Sequence, residues 1–211
     1  MVIAIDGPSG VGKSTVSQRV AKLLGLAYLD TGATYRAATL AILDAGVDIM
    51  DEEAVLSELN RHSVDYDARG IVLDGESVAF NVRSDAVTSS VSAVSAHPLV
   101  RSEIVDIQRR WVDQHDGEAV VEGRDIGTVV FPNAPVKIFL TASPEVRARR
   151  RAGDSESGDR SVAEIAASLA ARDEADSTRK TSPLRPAEDA VVIDTGNLTI
   201  DEVVNAITAL T

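Results

Sequence analysis

Gly7-Pro8-Ser9-Gly10-Val11-Gly12-Lys13-Ser14 stands just after the apolar run Val2-Ile3-Ala4-Ile5. The eight residues match the Gly-x-x-x-x-Gly-Lys-Ser/Thr pattern of a phosphate-binding loop, and each part has a physical use. Glycines let successive backbone N–H groups turn inward around an anion. The helix that follows adds its unpaired N–H groups and the positive end of its dipole. Lys13 reaches the β- and γ-phosphates, and Ser14 offers a hydroxyl to Mg²⁺. The context agrees: a strand-like run comes before, and Val16, Val20, Leu23 and Leu24 then recur at helical spacing. The reading is a nucleoside triphosphate site on a strand–loop–helix unit. Lys13 is expected to stand exposed while the site is empty.

A chain of 211 residues, 44% hydrophobic and 26% charged, fits one substantial core with room for a subdomain. No apolar run approaches the roughly 20 residues of a membrane helix. The N-terminus enters a strand at once with no signal-peptide pattern, so no membrane partner and a cytoplasmic location are expected. Cysteine is absent, which removes disulfides, thiolate metal sites and thiol nucleophiles. A net charge of −12 argues against nucleic acid as a partner. The cations are nevertheless unevenly spread: Arg147, Arg149, Arg150, Arg151, Arg160, Arg172, Arg179, Lys180 and Arg185 crowd one stretch. Arginines concentrated in an acidic chain that carries a phosphate loop point to phosphate as their ligand.

Five short apolar runs, Val2–Ile5, Leu26–Leu29, Ala119–Val121, Val136–Leu140 and Ala190–Ile193, read as buried parallel strands. Helical periods separate most of them, which predicts an α/β chain with a five-stranded parallel sheet. Gly25 is expected to end the first helix and Thr199 to cap the last, with Val203, Val204 and Ile207 facing inward. Between Val64 and Val82 the period changes to two, and Asp74-Gly75 sits between apolar strands. That predicts a type I′ turn and a small antiparallel β insert, packed on helices near Asp51–Arg61 and Val87–Ala96. Ala152–Ser161, rich in Gly, Ser and Asp, reads as a short lid.

Chemistry-bearing residues gather where strands end. The second strand leads into Asp30-Thr31-Gly32-Ala33-Thr34-Tyr35-Arg36, and open α/β sheets bind ligands at such carboxyl ends. The third leads into Glu122-Gly123-Arg124-Asp125-Ile126-Gly127-Thr128, whose glycines allow close approach and whose arginine can grip a phosphate in bidentate fashion. Arg172 and Arg179 share a face if the helix over Val162–Ser177 continues, and Asp176 lies four residues beyond Arg172. Arg147, Arg150 and Arg151 share another face and are expected to reach toward the lid. His62, His97 and His115 show no ligand or triad spacing, and Trp111 recurs with Val100, Ile104 and Ile107 as core.

Taken in order, the phosphate loop, Asp30-Thr31-Gly32-x-x-Tyr35-Arg36, His97-Pro98-Leu99-Val100-Arg101, Gly123-Arg124-Asp125-Ile126-Gly127-Thr128-Val129-Val130-Phe131-Pro132, Ala134 to Leu140, and Arg172-Asp173 with Arg179 resemble the bacterial cytidylate kinase family. The resemblance spans essentially the whole chain, with Glu122 and Thr31 where many members carry Asp and Ser. It implies a three-layer phosphate-loop kinase fold. Its parts would be a core (1–35, 97–150 and 162–211), a monophosphate-binding subdomain with the hairpin insert (36–96) and a lid (151–161). It implies transfer of the γ-phosphoryl group of ATP to CMP or dCMP in a monomer. Gly7, Pro8, Ser9, Gly10, Val11, Gly12, Lys13, Ser14 and Thr15 would hold ATP, with Ser14 on Mg²⁺. Arg36, Arg124 and Arg179 would hold the acceptor phosphate; Ser92, Arg101 and Asp125 would read cytosine; Arg172 and Asp176 would contact the sugar. Asp30 and Thr31 would line the acceptor side, and Lys13, Arg124 and Arg179 would act on the transferring group.

Elementary chemistry agrees. A nucleoside monophosphate is largely dianionic at pH 7, its second pKa being about 6, so its attacking oxygen needs no general base. The demand is instead for cations that hold two polyanions in line. Another small phosphate-loop kinase, acting on UMP or a hydroxyl acceptor, is the competing reading. A GTPase-type switch would need a guanine-reading Asn-Lys-x-Asp, and the chain has none.

Overall fold

The computed structural model describes residues 1–153, 161–179 and 181–211. In chain order its elements begin β1 (Val2–Asp6), α1 (Lys13–Leu24), β2 (Ala27–Asp30), α2 (Thr31–Asp44), α3 (Glu52–Leu59), β3 (Val64–Asp67), β4 (Gly70–Leu73), β5 (Glu76–Ser77), α4 (Asp85–Val94) and α5 (Pro98–Asp113). They continue with β6 (Ala119–Gly123), β7 (Val136–Thr141), α6 (Pro144–Ala152), α7 (Val162–Ser177), β8 (Val191–Asp194) and α8 (Ile200–Thr208). The chain divides into two compact units, Met1–Leu29 with Gly117–Thr211, and Asp30–Asp116.

All five expected strands form, in the order β2-β6-β1-β7-β8. β1 pairs in parallel with β6 and β7, aligning Ile3 with Val120 and with Val136, and β7 pairs in parallel with β8. Parallel neighbours need crossovers, which the intervening helices supply. The central strands are apolar without alternation because both faces are covered. β8 departs from the expected burial: Val191 and Val192 are 43% and 56% exposed, since β8 lies at the sheet edge.

In the first unit α1 and α8 lay Val16, Val20, Val203, Val204 and Ile207 against sheet residues such as Ile3, Ile5 and Ile138. Gly25 ends α1 with a left-handed φ of 69°, and Thr199 opens α8 in a reciprocal capping box with Glu202. Leu23, expected on the inner face, is 63% exposed. The buried positions of α1 are Lys13, Val16, Ser17, Val20 and Ala21, so the buried stripe centres elsewhere and Leu23 falls at its edge. α6 and α7 pack on each other through Ala148, Ile165 and Leu169. The expected lid covers 151–161. Residues 154–160 lie outside the described residues, while α6 runs to Ala152 and Ser161 caps α7 with Glu164.

The second unit has its own core, built around Ala37, Ala38, Ile42, Val55, Val87 and Ile104. β3, β4 and β5 form the antiparallel insert. Asp74 and Gly75 both take positive φ, 52° and 83°, as a type I′ turn requires. Trp111 is buried and donates its ring N–H to the Tyr66 carbonyl at 2.6 Å. The three histidines have structural partners: His62 between Asp74 and Glu58, His97 on the Ile49 carbonyl, His115 stacked on Trp111.

Candidate active site

The phosphate loop occupies the gap between Asp6, the last residue of β1, and Lys13, the first of α1. Gly7 must be glycine: its φ is 149°, and a Cβ there would lie 2.2 Å from the Leu140 carbonyl oxygen. Lys13 is not exposed as expected. It is 8% exposed, with Nζ donating to the Gly7 and Pro8 carbonyls at 2.8 Å each. Burial, then the nearby charges of Arg124 and Arg172, push its pKa down to about 7, while Glu122 opposes them. An ammonium crowded by two guanidinium groups is a site short of anionic charge.

The carboxylate of Asp176 organises much of that positive charge. It is 1% exposed; Arg124 Nε donates to its Oδ2 at 2.8 Å, and Arg179 Nη2 donates to Oδ1. Burial works to raise its pKa, but Arg124 and Arg179 outweigh this and hold the carboxyl below its ordinary value. The Arg172 charge acts in the same direction. Arg124 also donates from Nη1 to the Gly7 carbonyl at 3.1 Å. Lys13 and Arg124 therefore share one acceptor at the base of the loop. α7 stops at Ser177, with Thr178 as its C-cap. Arg179 thus reaches Asp176 from beyond the helix, not from a continued helical face.

The expectation that Arg147 and Arg150 reach toward the lid is overturned. Arg147 Nη1 donates to the Ser9 carbonyl at 3.2 Å and pairs with Asp173. The Asp173 carboxylate in turn accepts from the Ser9 N–H at 3.5 Å. Arg150 donates to the Val11 carbonyl at 3.4 Å, and to the Thr195 hydroxyl and carbonyl at 2.8 and 2.6 Å. These two of the four α6 arginines therefore brace the phosphate loop through its backbone carbonyls, which need donors.

Arg124 and Asp125 precede a wide turn over Ile126–Val130, closed by bonds from Val130 N–H to the Asp125 carbonyl and from Phe131 N–H to the Ile126 carbonyl. Such i→i+5 turns recur at functional sites. Asp125 is buried.

The first unit thus brings together the loop, Arg124, Arg172, Asp176 and Arg179, and sets Asp125 beside them. In the second unit Asp30 caps α2 by accepting from the Ala33 N–H at 3.1 Å, and Thr31 is the buried first residue of that helix. Arg36 donates to the Val82 carbonyl and the Thr88 hydroxyl at 3.1 and 2.9 Å. Arg101 is buried, donates to the Ser95 carbonyl at 3.2 Å and lies 5.3 Å from the Tyr35 ring centroid. Ser95 bonds back to the Ser92 carbonyl, so Ser92 and Arg101 share the junction of α4 and α5.

A family model described as cytidylate kinase matches residues 3–211. The chain belongs to the cytidylate kinase family. The cytidylate kinase of Streptomyces avermitilis is 49% identical over 214 residues, covering all of this chain and 92% of that one. That of Mycolicibacterium paratuberculosis is 51% identical, covering 97% and 92%. A sugar kinase structure from a Janibacter species superposes with a TM-score of 0.51 over 99% of this chain and 92% of its own, at 16% identity. That is a likeness of fold.

Within this family member, sequence reasoning missed Asp6 and Thr195, and it quoted Glu122 and Asp173 in their motifs without giving either a role. Glu122 is 2% exposed and accepts from the Tyr28 hydroxyl. Asp173 carried little signal, because its partner, the buried Arg147, lies 26 positions away. Thr195 carried none, because its partners on the loop and on α6 are remote in sequence.

Proposed function

We infer that the protein transfers the γ-phosphoryl group of ATP to CMP or dCMP, giving ADP and CDP or dCDP, as a cytoplasmic monomer. The observation that carries this reading is the cluster of Lys13, Arg124, Arg172 and Arg179 around one loop, with Asp176 as the carboxylate that Arg124 and Arg179 share. Such a cluster is suited to a polyanion and contains no histidine. Membership of the family and relatives of about 50% identity along the chain support the acceptor.

In this reading the backbone from Gly7 to Thr15 cradles the ATP phosphates. Ser14, exposed in the first turn of α1, fits a Mg²⁺ that takes one protein hydroxyl and otherwise phosphate oxygens and waters. Bound Mg²⁺ would neutralise β- and γ-oxygen charge. Lys13, Arg124 and Arg179 act on the transferring group: their charges lie where negative charge spreads in a loose transition state, and the acceptor dianion needs no base. Arg172 and Asp176 are assigned to the sugar, Asp176 also fixing Arg124 and Arg179. Asp125 is assigned to the cytosine edge. In the second unit Arg36 is assigned to the acceptor phosphate, Ser92 and Arg101 to the base, and Asp30 and Thr31 to the acceptor side.

The test is a panel of acceptors with MgATP: CMP, dCMP, UMP, AMP and shikimate, read as ADP release. CMP or dCMP should be used with the highest kcat/KM. Faster turnover of UMP, AMP or shikimate overturns the reading in favour of another small kinase. ATP hydrolysis indifferent to every acceptor overturns it altogether.

A further inference from the structure

One buried carboxylate takes no part in the reaction as described. Asp6, the last residue of β1, is 4% exposed. Its Oδ1 accepts from the Ile126 N–H and its Oδ2 from the Gly127 N–H, each at 2.8 Å. Those two N–H groups open the Ile126–Val130 turn, where none of the turn's own carbonyls lies behind them. A carboxylate meeting two successive N–H groups fixes both the distance and the orientation of that turn.

The far side is equally constrained. A Cβ on Gly127 would lie 3.2 Å from Cδ of Lys137 and 3.5 Å from Asp6 Oδ2. The Lys137 ammonium is itself anchored by the Asp189 carboxylate at 2.8 and 2.9 Å and by the Pro132 carbonyl at 2.5 Å. Gly127 is therefore held between Asp6 and the Lys137 stem, and a methyl group there would fit only if the anchored stem gave way by a few tenths of an ångström. Arg124 and Asp125 immediately precede this clamp. Asp6 in turn immediately precedes Gly7, whose carbonyl receives both Lys13 and Arg124. One dipeptide thus grips the phosphate loop's lysine through its backbone and the Arg124–Gly127 segment through its side chain.

We propose that Asp6 is a positioning residue, which sets Arg124 and Asp125 at a fixed place relative to the phosphate loop so that the acceptor is aligned with the ATP phosphates. The proposal rests on the reading of Arg124 and Asp125 as acceptor-binding groups. Only a two-oxygen acceptor does this. In Asn the amide –NH₂ would face the Gly127 or Ile126 N–H, donor against donor. The charges that face Asp6 are Lys13, which favours its ionised form, and Asp125, which opposes it. Asp6 touches neither nucleotide in this scheme, so its replacement acts through the geometry of the Arg124–Asp125 segment.

Steady-state kinetics and nucleotide binding on four variants test it. Asp6→Asn should lower kcat/KM for CMP at saturating ATP by roughly 10- to 100-fold, the scale set by ångström misplacement of reacting groups. The Kd of a non-hydrolysable MgATP analogue should stay within about twofold. Gly127→Ala, which crowds the Lys137 stem and so displaces the same turn from the other side, should move kcat/KM for CMP in the same direction and carries the test if Asp6→Asn does not fold. Ile207→Val, a core change in α8, which carries no clamp residue, should lower Tm and leave kcat/KM intact. Unchanged CMP kinetics in both clamp variants, or an equal loss of ATP-analogue affinity, would make Asp6 a merely structural residue and overturn the proposal. Arg124→Ala separates the two layers. If it leaves kcat/KM for CMP untouched, the acceptor reading fails and the proposal with it. If Arg124→Ala lowers kcat/KM and the clamp variants do not, the proposal alone fails.

Discussion

At the scale of single residues, the sharpest expectation concerns the choice of base. Cytosine offers an N4 amino donor where uracil offers a carbonyl, so discrimination calls for an acceptor-only side chain, and Asp125 supplies one that is buried. For UMP that carboxylate would meet O4 with no proton between them, a mispairing of about 1–3 kcal/mol or more for a charged group. Asp125→Ala should therefore lower kcat/KM for CMP much more than for UMP, narrowing the ratio of the two by on the order of tenfold or more. Equal losses on both substrates would move base reading to another residue. As a candidate, Asp125 stands out in the sequence because it follows Arg124 between two glycines at a strand end. Asp6 does not. An aspartate before a glycine looks like a turn residue, and its true partners, Ile126 and Gly127, are 120 and 121 positions away. A close hydrogen bond between distant segments leaves no period for sequence to display.

At the scale of elements, period and punctuation carried the fold. Continuous apolar runs became the parallel sheet, and Asp74-Gly75 became a turn with both φ angles positive. What failed were the faces of polar helices. α6 shows its arginines at helical spacing, but spacing cannot say that Ser9 and Val11 carbonyls wait opposite them. The burial of Val191 and Val192 was misjudged for a similar reason, since edge position is a property of the assembled sheet. The insert offers its own test. His62 joins the end of α3 to the β4–β5 turn through Asp74 at 2.6 Å and Glu58 at 3.2 Å. The Asp74 bond chiefly raises the His62 pKa, and the His62 bond chiefly lowers that of Asp74. A raised histidine pKa stabilises the fold fully below the unfolded value of about 6.5 and ceases to do so as pH rises through the folded value. The Asp74 contribution is present above about pH 4 and is lost in acid. Wild type should thus exceed His62→Gln in Tm most at pH 5–6, and the gap should shrink by pH 8.5. For a half-exposed pair the effect is about 1 kcal/mol or less, a few degrees at most for a chain of this size. A gap of the same size at both pH values would remove the ion pair from the account.

At the scale of the whole molecule, the charges are set against the empty state. The chain carries a net −12, yet its first unit packs Lys13 near Arg124 and Arg172, and burial with those two cations pushes the lysine pKa down to about 7. A cation held where burial and like charge both disfavour it costs stability, which persists because the site is built for a ligand. In the proposed function the missing anion is the triphosphate, and a ligand that binds only the folded chain stabilises it by RT ln(1 + [L]/Kd). At a hundred times Kd this is about 2.7 kcal/mol, or roughly 5–10 °C in Tm for a chain of about 200 residues. Replacing Lys13 by Met keeps much of the packed stem and removes the charge. Two consequences follow. Without nucleotide, Lys13→Met should unfold at or near the wild-type temperature, because relief of the burial and of the repulsion with Arg124 and Arg172 offsets the loss of two bonds to loop carbonyls, about 1.5–3 kcal/mol each for a charged donor. With MgATP at fixed concentration, the variant should gain far less than wild type. Its kcat should also fall by on the order of a hundredfold or more, since the charge matters most as the phosphoryl group transfers. Thermal unfolding of both proteins, with and without MgATP, reads all but the kinetic part in one experiment. A variant clearly less stable than wild type when empty would mean that Lys13 holds the loop together rather than waiting for phosphate. A variant with the full MgATP shift would remove Lys13 from nucleotide binding.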